Sequence, residues 1–132
     1  MTTLSLVESR TGFVRLELTE DSLQFGTCRL DIKSGGYRAS GELSMVGNLL
    51  RRFYNVMIPV VEANEGEAVF FDSDCLLEIH YQYITGQRVI VHGRFQAEPQ
   101  FMNELKFQLE TDRADIEQMM GMLRDYLKVN DR

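Results

Sequence analysis

The sequence is poor in the residues that cross-link or interrupt a small domain. It has no tryptophan, two prolines and two cysteines among 132 residues. This low cysteine count excludes a scaffold held together by several disulfides. A chain of this length can bury a hydrophobic core without disulfide or metal staples. We therefore expect a single domain over residues 1–132.

Long hydrophobic runs are also missing. The longest run, Val56–Val61, contains Pro59, and it is far shorter than the ~18 residues that span a bilayer. The first residues lack the charged segment followed by an apolar segment that is typical of a signal peptide. We expect a cytoplasmic protein with no membrane partner.

The two cysteines, Cys28 and Cys75, lie far apart in the sequence, each among alternating apolar residues. This setting predicts two small buried thiols in a reducing cytosol. A disulfide between them is the alternative interpretation, because spacing alone does not exclude it.

Basic residues are absent from one quarter of the chain. No lysine or arginine occurs between Phe53 and Gln87, whereas acids and bases balance at fourteen each elsewhere. The net charge of −6 therefore belongs to one stretch, here called the acidic window, whose six carboxylates are Glu62, Glu65, Glu67, Asp72, Asp74 and Glu78. Acidic chains bind nucleic acid poorly, because phosphates attract clustered lysine and arginine. The charge suits a basic protein partner, or it serves solubility alone.

Alternation of apolar and polar residues predicts most of the strands. Two alternating runs on either side of a Gly-Gly turn predict a first hairpin. A second hairpin follows the acidic window, and matching its apolar faces requires Ile84 to pair with Arg88, which sets Glu78 opposite Arg94. The predicted strands lie at about 13–18, 28–33, 37–43, 68–71, 75–84, 88–95 and 105–109.

Two segments change to the helical period. Apolar residues spaced by three and four predict a helix at about 45–57, with Ser44 as N-cap and Pro59 as its stop. A second helix is predicted at about 113–128, with Asp112 as N-cap. We expect an α+β fold, with an antiparallel sheet of about six to eight strands and both helices packed on one face.

Histidine offers the one candidate for a metal site. His80 and His92 fall opposite each other in the predicted register, and Glu78 is a possible third ligand for zinc. Such sites usually need three or four ligands held by further contacts. Two solvated histidines on a sheet face are the alternative, and we expect no bound metal and no other cofactor.

The sequence contains no motif typical of catalysis. No serine lies in a nucleophile-elbow context. Asp72 and Asp74 could act as an acid–base pair if they were buried together. They flank a serine in a predicted turn, where aspartate is favoured because it hydrogen-bonds its own backbone. We therefore expect a protein that is not an enzyme.

The six carboxylates of the acidic window surround a predicted helix end, a loop and two strands, so they can converge in space. A solvated loop region that aids solubility is the simpler interpretation. The functional interpretation is a docking surface for a basic protein, where complementary charge increases the association rate and selects the partner.

The order of motifs resembles that of the WapI-type immunity proteins of bacterial polymorphic toxin systems. The resemblance covers about Leu30–Leu127 and rests on four segments: Ile32–Tyr37, the helix with Leu49, Phe53 and Tyr54, the hairpin Leu76–Phe95, and Leu109–Asp112 leading into the last helix. It implies a protein that neutralises a toxin domain, often a nuclease, in the producing cell. It carries no contact residues across, so the six carboxylates rest on charge distribution alone.

These observations lead to one hypothesis and one main alternative. The hypothesis is an immunity-type protein that binds a cognate toxin, a basic nuclease domain, through the acidic window. The alternative is a general protein-binding or scaffold module without a toxin partner, which forms a homodimer through an open sheet edge. Both leave the protein a monomer or a homodimer.

Overall fold

The strands and long helices of the described residues fall into two blocks with the same order, each with four strands followed by a helix. A computed structural model describes residues 2–18, 22, 26–46, 48–98 and 102–130. The first block comprises β1 (Thr2–Glu8), β2 (Gly12–Leu18), β3 (Thr27–Ser34), β4 (Tyr37–Ser44) and α1 (Leu49–Ala63). The second comprises β5 (Gly66–Phe71), β6 (Leu77–Tyr83), β7 (Arg88–Phe95), β8 (Leu105–Asp112) and α2 (Arg113–Asn130).

The strands form two antiparallel sheets, each with neighbouring strands in sequence order. The first sheet has the order β1-β2-β3-β4, and the second has the order β5-β6-β7-β8. The α+β class and the antiparallel pairing are confirmed, whereas the expectation of one continuous sheet is wrong. Periodicity predicts where strands lie, but which strands share a sheet depends on long-range packing.

The predicted register of the second hairpin is correct. The amide of Ile84 donates to the carbonyl of Arg88 at 3.1 Å, and Glu78 lies opposite Arg94 on the neighbouring strand. In the first sheet, β3 and β4 pair through the predicted glycine turn. Apolar alternation was sufficient here because a shift of one residue would turn a whole apolar face outward.

The sequence analysis missed β1. This strand pairs with β2, but its register shifts between Ser5 and Val7. The bulge at Leu6 turns both Leu6 and Val7 inward, and both side chains are fully buried. A bulge adds one residue to one strand, so the two-residue period is lost there.

The first helix begins and ends later than predicted. Ser44 is the last residue of β4, and Asn48 occupies the N-cap of α1 without a side-chain cap bond. Pro59 lies inside the helix, which continues until Asn64 adopts a left-handed conformation with φ 55°. Pro59 is exposed, and because it has no amide hydrogen, one backbone hydrogen bond of the helix is lost. Gly47, which falls within the predicted helix 45–57, lies outside the described residues.

The second helix matches its prediction closely. The side chain of Asp112 accepts a hydrogen bond from the amide of Asp115 at 2.9 Å, which is the predicted N-cap contact. Thr111 also binds Asp115, through a hydroxyl donated to the carboxylate at 3.1 Å. The start of α2 is thereby tied to the end of β8. Neither described helix combines the length and apolar character needed to cross a bilayer.

The inner faces of both sheets share one core with the two helices. Helix α1 packs against β5 and α2, and α2 packs against β1. The ring of Phe53 in α1 meets the edge of Phe70 with centroids 5.0 Å apart, and it lies 5.8 Å from Tyr81. These ring contacts hold α1 on the second sheet.

Two burial predictions are wrong. The alternation of residues 37–43 predicts that Tyr37 faces inward, with Ala39, Gly41 and Leu43, but Tyr37 is 72 % exposed. Cys75, expected to be buried, is exposed and has a φ of 57°, because it lies in the turn after β5 rather than in β6. Cys28 is buried as predicted, and both cysteines are free. Burial raises the pKa of the Cys28 thiol to about 12.

Candidate functional site

The second sheet exposes an edge at β5. In the described part of the chain, β5 pairs with β6 alone. The amide of Asp72 donates to the carbonyl of Leu77 across this pair. Backbone hydrogen bonds alternate along an antiparallel pair, so Glu67, Val69 and Phe71 direct their backbone groups away from β6. An outward-facing row of this kind can pair with another chain.

A partly apolar groove runs between this edge and α1. Two of its side chains are exposed apolar groups, Val56 of α1 at 49 % and Phe71 of β5 at 44 %. Arg52 also lies in the groove. The remaining groove residues are Leu49, Phe53, Val69, Phe70 and Asp72. The groove offers apolar contact area beside unpaired backbone groups.

Three carboxylates of the acidic window flank the two ends of β5. Glu62 lies in the last turn of α1, and Glu65 lies just before β5; both are exposed. Asp74 is exposed in the turn after β5. A strand of six residues is about 20 Å long, so these charges bracket the edge rather than meet at one point.

Asp72 has a structural role instead. Its side chain is only 2 % exposed. One carboxylate oxygen accepts the amide hydrogen of Leu77 at 2.9 Å, and the other accepts that of Asp74 at 3.3 Å. The turn interpretation is confirmed for this residue. Its burial removes Asp72 from the predicted contact surface.

Glu67 and Glu78 lie on the outer face of the second sheet, where both bind His80. The Nδ1 atom of His80 lies 3.0 Å from Glu67 Oε1, and its Nε2 atom lies 2.6 Å from Glu78 Oε1. The other oxygen of Glu78 accepts from Arg94 Nε at 3.2 Å. The four side chains therefore form a continuous polar chain across β5, β6 and β7.

The second histidine completes this cluster. The rings of His80 and His92 are stacked with centroids 4.7 Å apart and planes inclined by 4°. Glu67, His80 and His92 each present a ligand atom, and these atoms lie within 4.8 Å of one another. The predicted third ligand was Glu78, whereas the structure brings Glu67 to the histidine pair and places Glu78 on the far nitrogen of His80. The outer face beside them is an open depression that also includes Arg94 and Lys106.

The charges in this cluster shift the ionisation of two groups. The hydrogen bond from His80 is the main reason that the pKa of Glu78 is lowered. Partial burial disfavours the charged form of His80, but the two carboxylates outweigh it, and the pKa of His80 is raised. The two carboxylates therefore favour the protonated form of this histidine over the neutral form.

Sequence reasoning missed the groove at β5 and the role of Glu67. Val56 and Phe71 entered the sequence patterns only as members of apolar runs. Their exposure follows from the packing of α1 against one edge of a sheet. The position of Glu67 depends on the β5–β6 register, in which Val69 pairs with His80, and the sequence analysis set no register for that strand pair. That register places Glu67 diagonal to His80 on the same face.

Comparison with known proteins identifies a shared fold. No family model matches the chain, and no curated protein sequence matches it. The crystal structures of MRP1/MRP2 from Trypanosoma bruciei are similar to it with a TM-score of 0.57 and 12 % sequence identity. The match covers 98 % of this chain and 84 % of the trypanosomal one. At this level of identity the similarity extends to the fold alone.

Proposed function

We propose that this protein is a non-enzymatic, immunity-type module that neutralises a basic toxin domain by binding it along the β5 edge. The observation that carries the proposal is the coincidence of three features at one edge. These features are unpaired backbone groups, an apolar groove, and exposed carboxylates at both ends.

Each feature supplies a different part of binding. Backbone pairing and apolar burial supply affinity, because a strand added to an open edge gains hydrogen bonds and buries side chains. The carboxylates of Glu62, Glu65 and Asp74 supply attraction over a longer range. Their flanking positions would steer a basic segment onto the edge from either end.

Charge favours a basic partner over a second copy of this chain. If two copies paired through β5, both sets of flanking carboxylates would meet, and like charges at close range cost free energy. Val56 and Phe71 would still favour self-association. Sedimentation at low and high salt separates the two cases, because self-association through this edge would strengthen as salt screens the carboxylates.

The resemblance to WapI-type immunity proteins motivates the choice of partner. It implies a toxin gene beside the gene for this protein. The C-terminal domain of a large secreted protein encoded next to it is therefore the partner to test. A neighbouring metabolic operon would argue against immunity.

The decisive experiment measures association of the protein with that toxin domain by stopped flow. The variant Glu62→Lys/Glu65→Lys/Asp74→Lys should associate at least about tenfold more slowly at low salt, with a weaker salt dependence. The matched control Glu98→Lys/Glu104→Lys/Glu110→Lys makes the same charge change at exposed sites on β8 and in the loop before it, at the opposite edge of the second sheet from β5. Equal slowing by both variants would show that the contact does not lie at the β5 edge. Absence of a complex would refute toxin binding.

A further inference from the structure

We infer that Glu67, His80 and His92 form a binding site for one zinc-class transition-metal ion on the outer face of the second sheet. This inference is independent of the proposed toxin binding. It rests on the donor set, on the strands that carry it, and on the contact that orients His80.

The donor set suits zinc and its neighbours in the first transition series. Two imidazoles and one carboxylate are borderline ligands that favour Zn²⁺, Co²⁺ and Ni²⁺ over Mg²⁺ and Ca²⁺, which prefer oxygen alone. Three protein ligands with an exposed fourth position form an open site. The side chains of Glu67 and His80 are 48 % and 24 % exposed, so water can occupy that position.

The ligand atoms lie close to the required spacing. Zinc binds these atoms at about 2.0–2.2 Å, so ligand atoms in a tetrahedral site lie roughly 3.3 Å apart. The present atoms lie within 4.8 Å of one another, and Glu67 already approaches His80 Nδ1 at 3.0 Å. An imidazole nitrogen binds a metal in the plane of its ring, and the two ring planes are parallel and stacked, so His92 must rotate to reach a shared ion. The torsion that turns an imidazole ring is broad and soft.

The backbone holds the three residues on adjacent strands. His80 and His92 form a direct cross-strand pair between β6 and β7. Glu67 in β5 lies diagonal to His80, because Val69 is the residue opposite His80. Both ladders are continuous here, so only side chains need to move to bind an ion.

Glu78 orients the histidine for this role. It accepts a hydrogen bond from His80 Nε2 at 2.6 Å, and it is itself held by Arg94 at 3.2 Å. A carboxylate on the far nitrogen of a ligating histidine sets the ring orientation and makes the near nitrogen a better ligand. Here the near nitrogen is Nδ1, which faces Glu67. Glu78 is therefore a positioning residue rather than a ligand.

The test is a titration of untagged, metal-free protein with Co²⁺, followed by visible absorption, and then displacement by Zn²⁺. One ion per chain should bind and give the absorption of a site with nitrogen ligands. The chain has two histidines, so imidazole NMR reports on this cluster alone. Zn²⁺ should shift the signals of both rings.

Four variants distinguish the roles of the residues. His92→Ala should abolish saturable binding, and Glu67→Gln should weaken it at least about tenfold. Glu78→Gln should weaken it by roughly 10- to 100-fold while one ion still binds. Glu110→Gln is the matched control, because Glu110 lies on the outer face of β8 and pairs with Arg88 instead; its affinity should equal that of the unmodified protein.

Three results would overturn the inference. The first is unmodified protein that binds Co²⁺ no more tightly than a His80→Ala/His92→Ala variant with the same circular dichroism. The second is a shift of only one imidazole signal. The third is equal affinity for Glu67→Gln and Glu110→Gln. None of these results bears on toxin binding, because Glu62, Glu65 and Asp74 are not metal ligands.

Discussion

The two blocks share an order of elements but differ in what fills their cores. The buried side chains of the first sheet are aliphatic, apart from Cys28. The second sheet contributes five buried aromatic residues, Phe70, Tyr81, Tyr83, Phe95 and Phe107. The same topology is therefore packed with aliphatic side chains in one sheet and with several aromatic side chains in the other.

The aromatic block reaches across to the aliphatic one. The hydroxyl of Tyr81 donates to the carbonyl of Leu6 at 2.8 Å, at the bulge in β1. The ring of Phe95 lies against β4 at Gly41, where an added Cβ would approach the ring to 2.8 Å. Gly41 has no side chain, so the ring can approach the strand closely. The aliphatic sheet thus supplies a backbone carbonyl and a flat surface, and the aromatic sheet supplies the hydroxyl and the ring that contact them.

The outer faces differ as well. On the first sheet, Arg15 binds Glu8 at 2.6 Å and lies 3.6 Å above the ring of Phe13. Arg38 also pairs with Asp31 at 3.3 Å, so both arginines form ion pairs with carboxylates of the same sheet. The second sheet bears both histidines, and Glu67 and Glu78 bind His80 there. Function is therefore expected on the second block, and stability is expected to depend on both.

The largest predicted effect concerns the aromatic core. Phe70→Ala should lower the free energy of unfolding by about 3–5 kcal/mol, because it leaves a cavity beside Phe53 and Tyr81. The control is the adjacent Phe71→Ala, which points into the open groove and should cost less than about 1 kcal/mol. Urea denaturation measures both variants. Equal losses would contradict the assignment of inner and outer faces on β5.

The next effect tests the bond between the blocks. Tyr81→Phe should cost about 1–3 kcal/mol, because the buried carbonyl of Leu6 loses its donor. Burial raises the pKa of Tyr81, so the hydroxyl stays protonated and donates. Tyr83 is the matched control: its buried hydroxyl has no hydrogen-bond partner among the described residues.

Tyr83→Phe should accordingly be neutral or slightly stabilising, because it removes an unsatisfied polar group from the core. Thermal unfolding of the two single variants and the double variant measures the difference. A larger loss for Tyr83→Phe than for Tyr81→Phe would show that the two sheets are joined in another way.

The smallest effect concerns the ion pair of the first sheet. The hydrogen bond from Arg15 is the main reason that the pKa of Glu8 is lowered from its ordinary value of 4.5. An acid with a lowered folded-state pKa stabilises the protein above pH 4.5, and that contribution is lost as the pH falls through the folded-state value. The pair is partly exposed, so solvent screening limits it to under about 1 kcal/mol.

Glu8→Gln should therefore destabilise the protein slightly at pH 7, and the difference should vanish as the pH falls through the lowered folded-state pKa of Glu8. Urea denaturation across this pH range measures it, with Asp31→Asn as the control for the weaker, more exposed pair with Arg38. A deficit that persists at low pH would show that Glu8 stabilises the protein through packing instead.

Prediction from sequence succeeded where neighbouring residues decide the structure. The hairpin around Thr85–Gln87 was correct in register, because its apolar faces allow only one alignment. The cap at Asp112 was correct, because its bond spans three residues. Both ends of helix α1 were predicted wrongly. Ser44 belongs to β4 rather than to the helix start, and the helix continues through the exposed Pro59.

The candidate site was only half predictable. The opposed histidines followed from the register, and so did the pairing of Glu78 with Arg94. The six carboxylates were predicted to act together, but they separate in the fold. Asp72 is buried in a turn, and Glu67 and Glu78 bind His80. Side-chain burial depends on what packs above a residue, which composition does not describe.

The sequence by itself determined seven of the eight described strands, the register of the β6–β7 hairpin and the location of all the excess negative charge. These properties depend on the apolar period, on the turn residues and on the number of charged residues, all of which can be read from the sequence directly. Only the tertiary structure decided that the strands divide into two sheets, that β5 becomes an open edge, and that Glu67 joins the histidine pair. Those outcomes depend on contacts between residues far apart in the chain, whose free energies are settled together when the shared core closes.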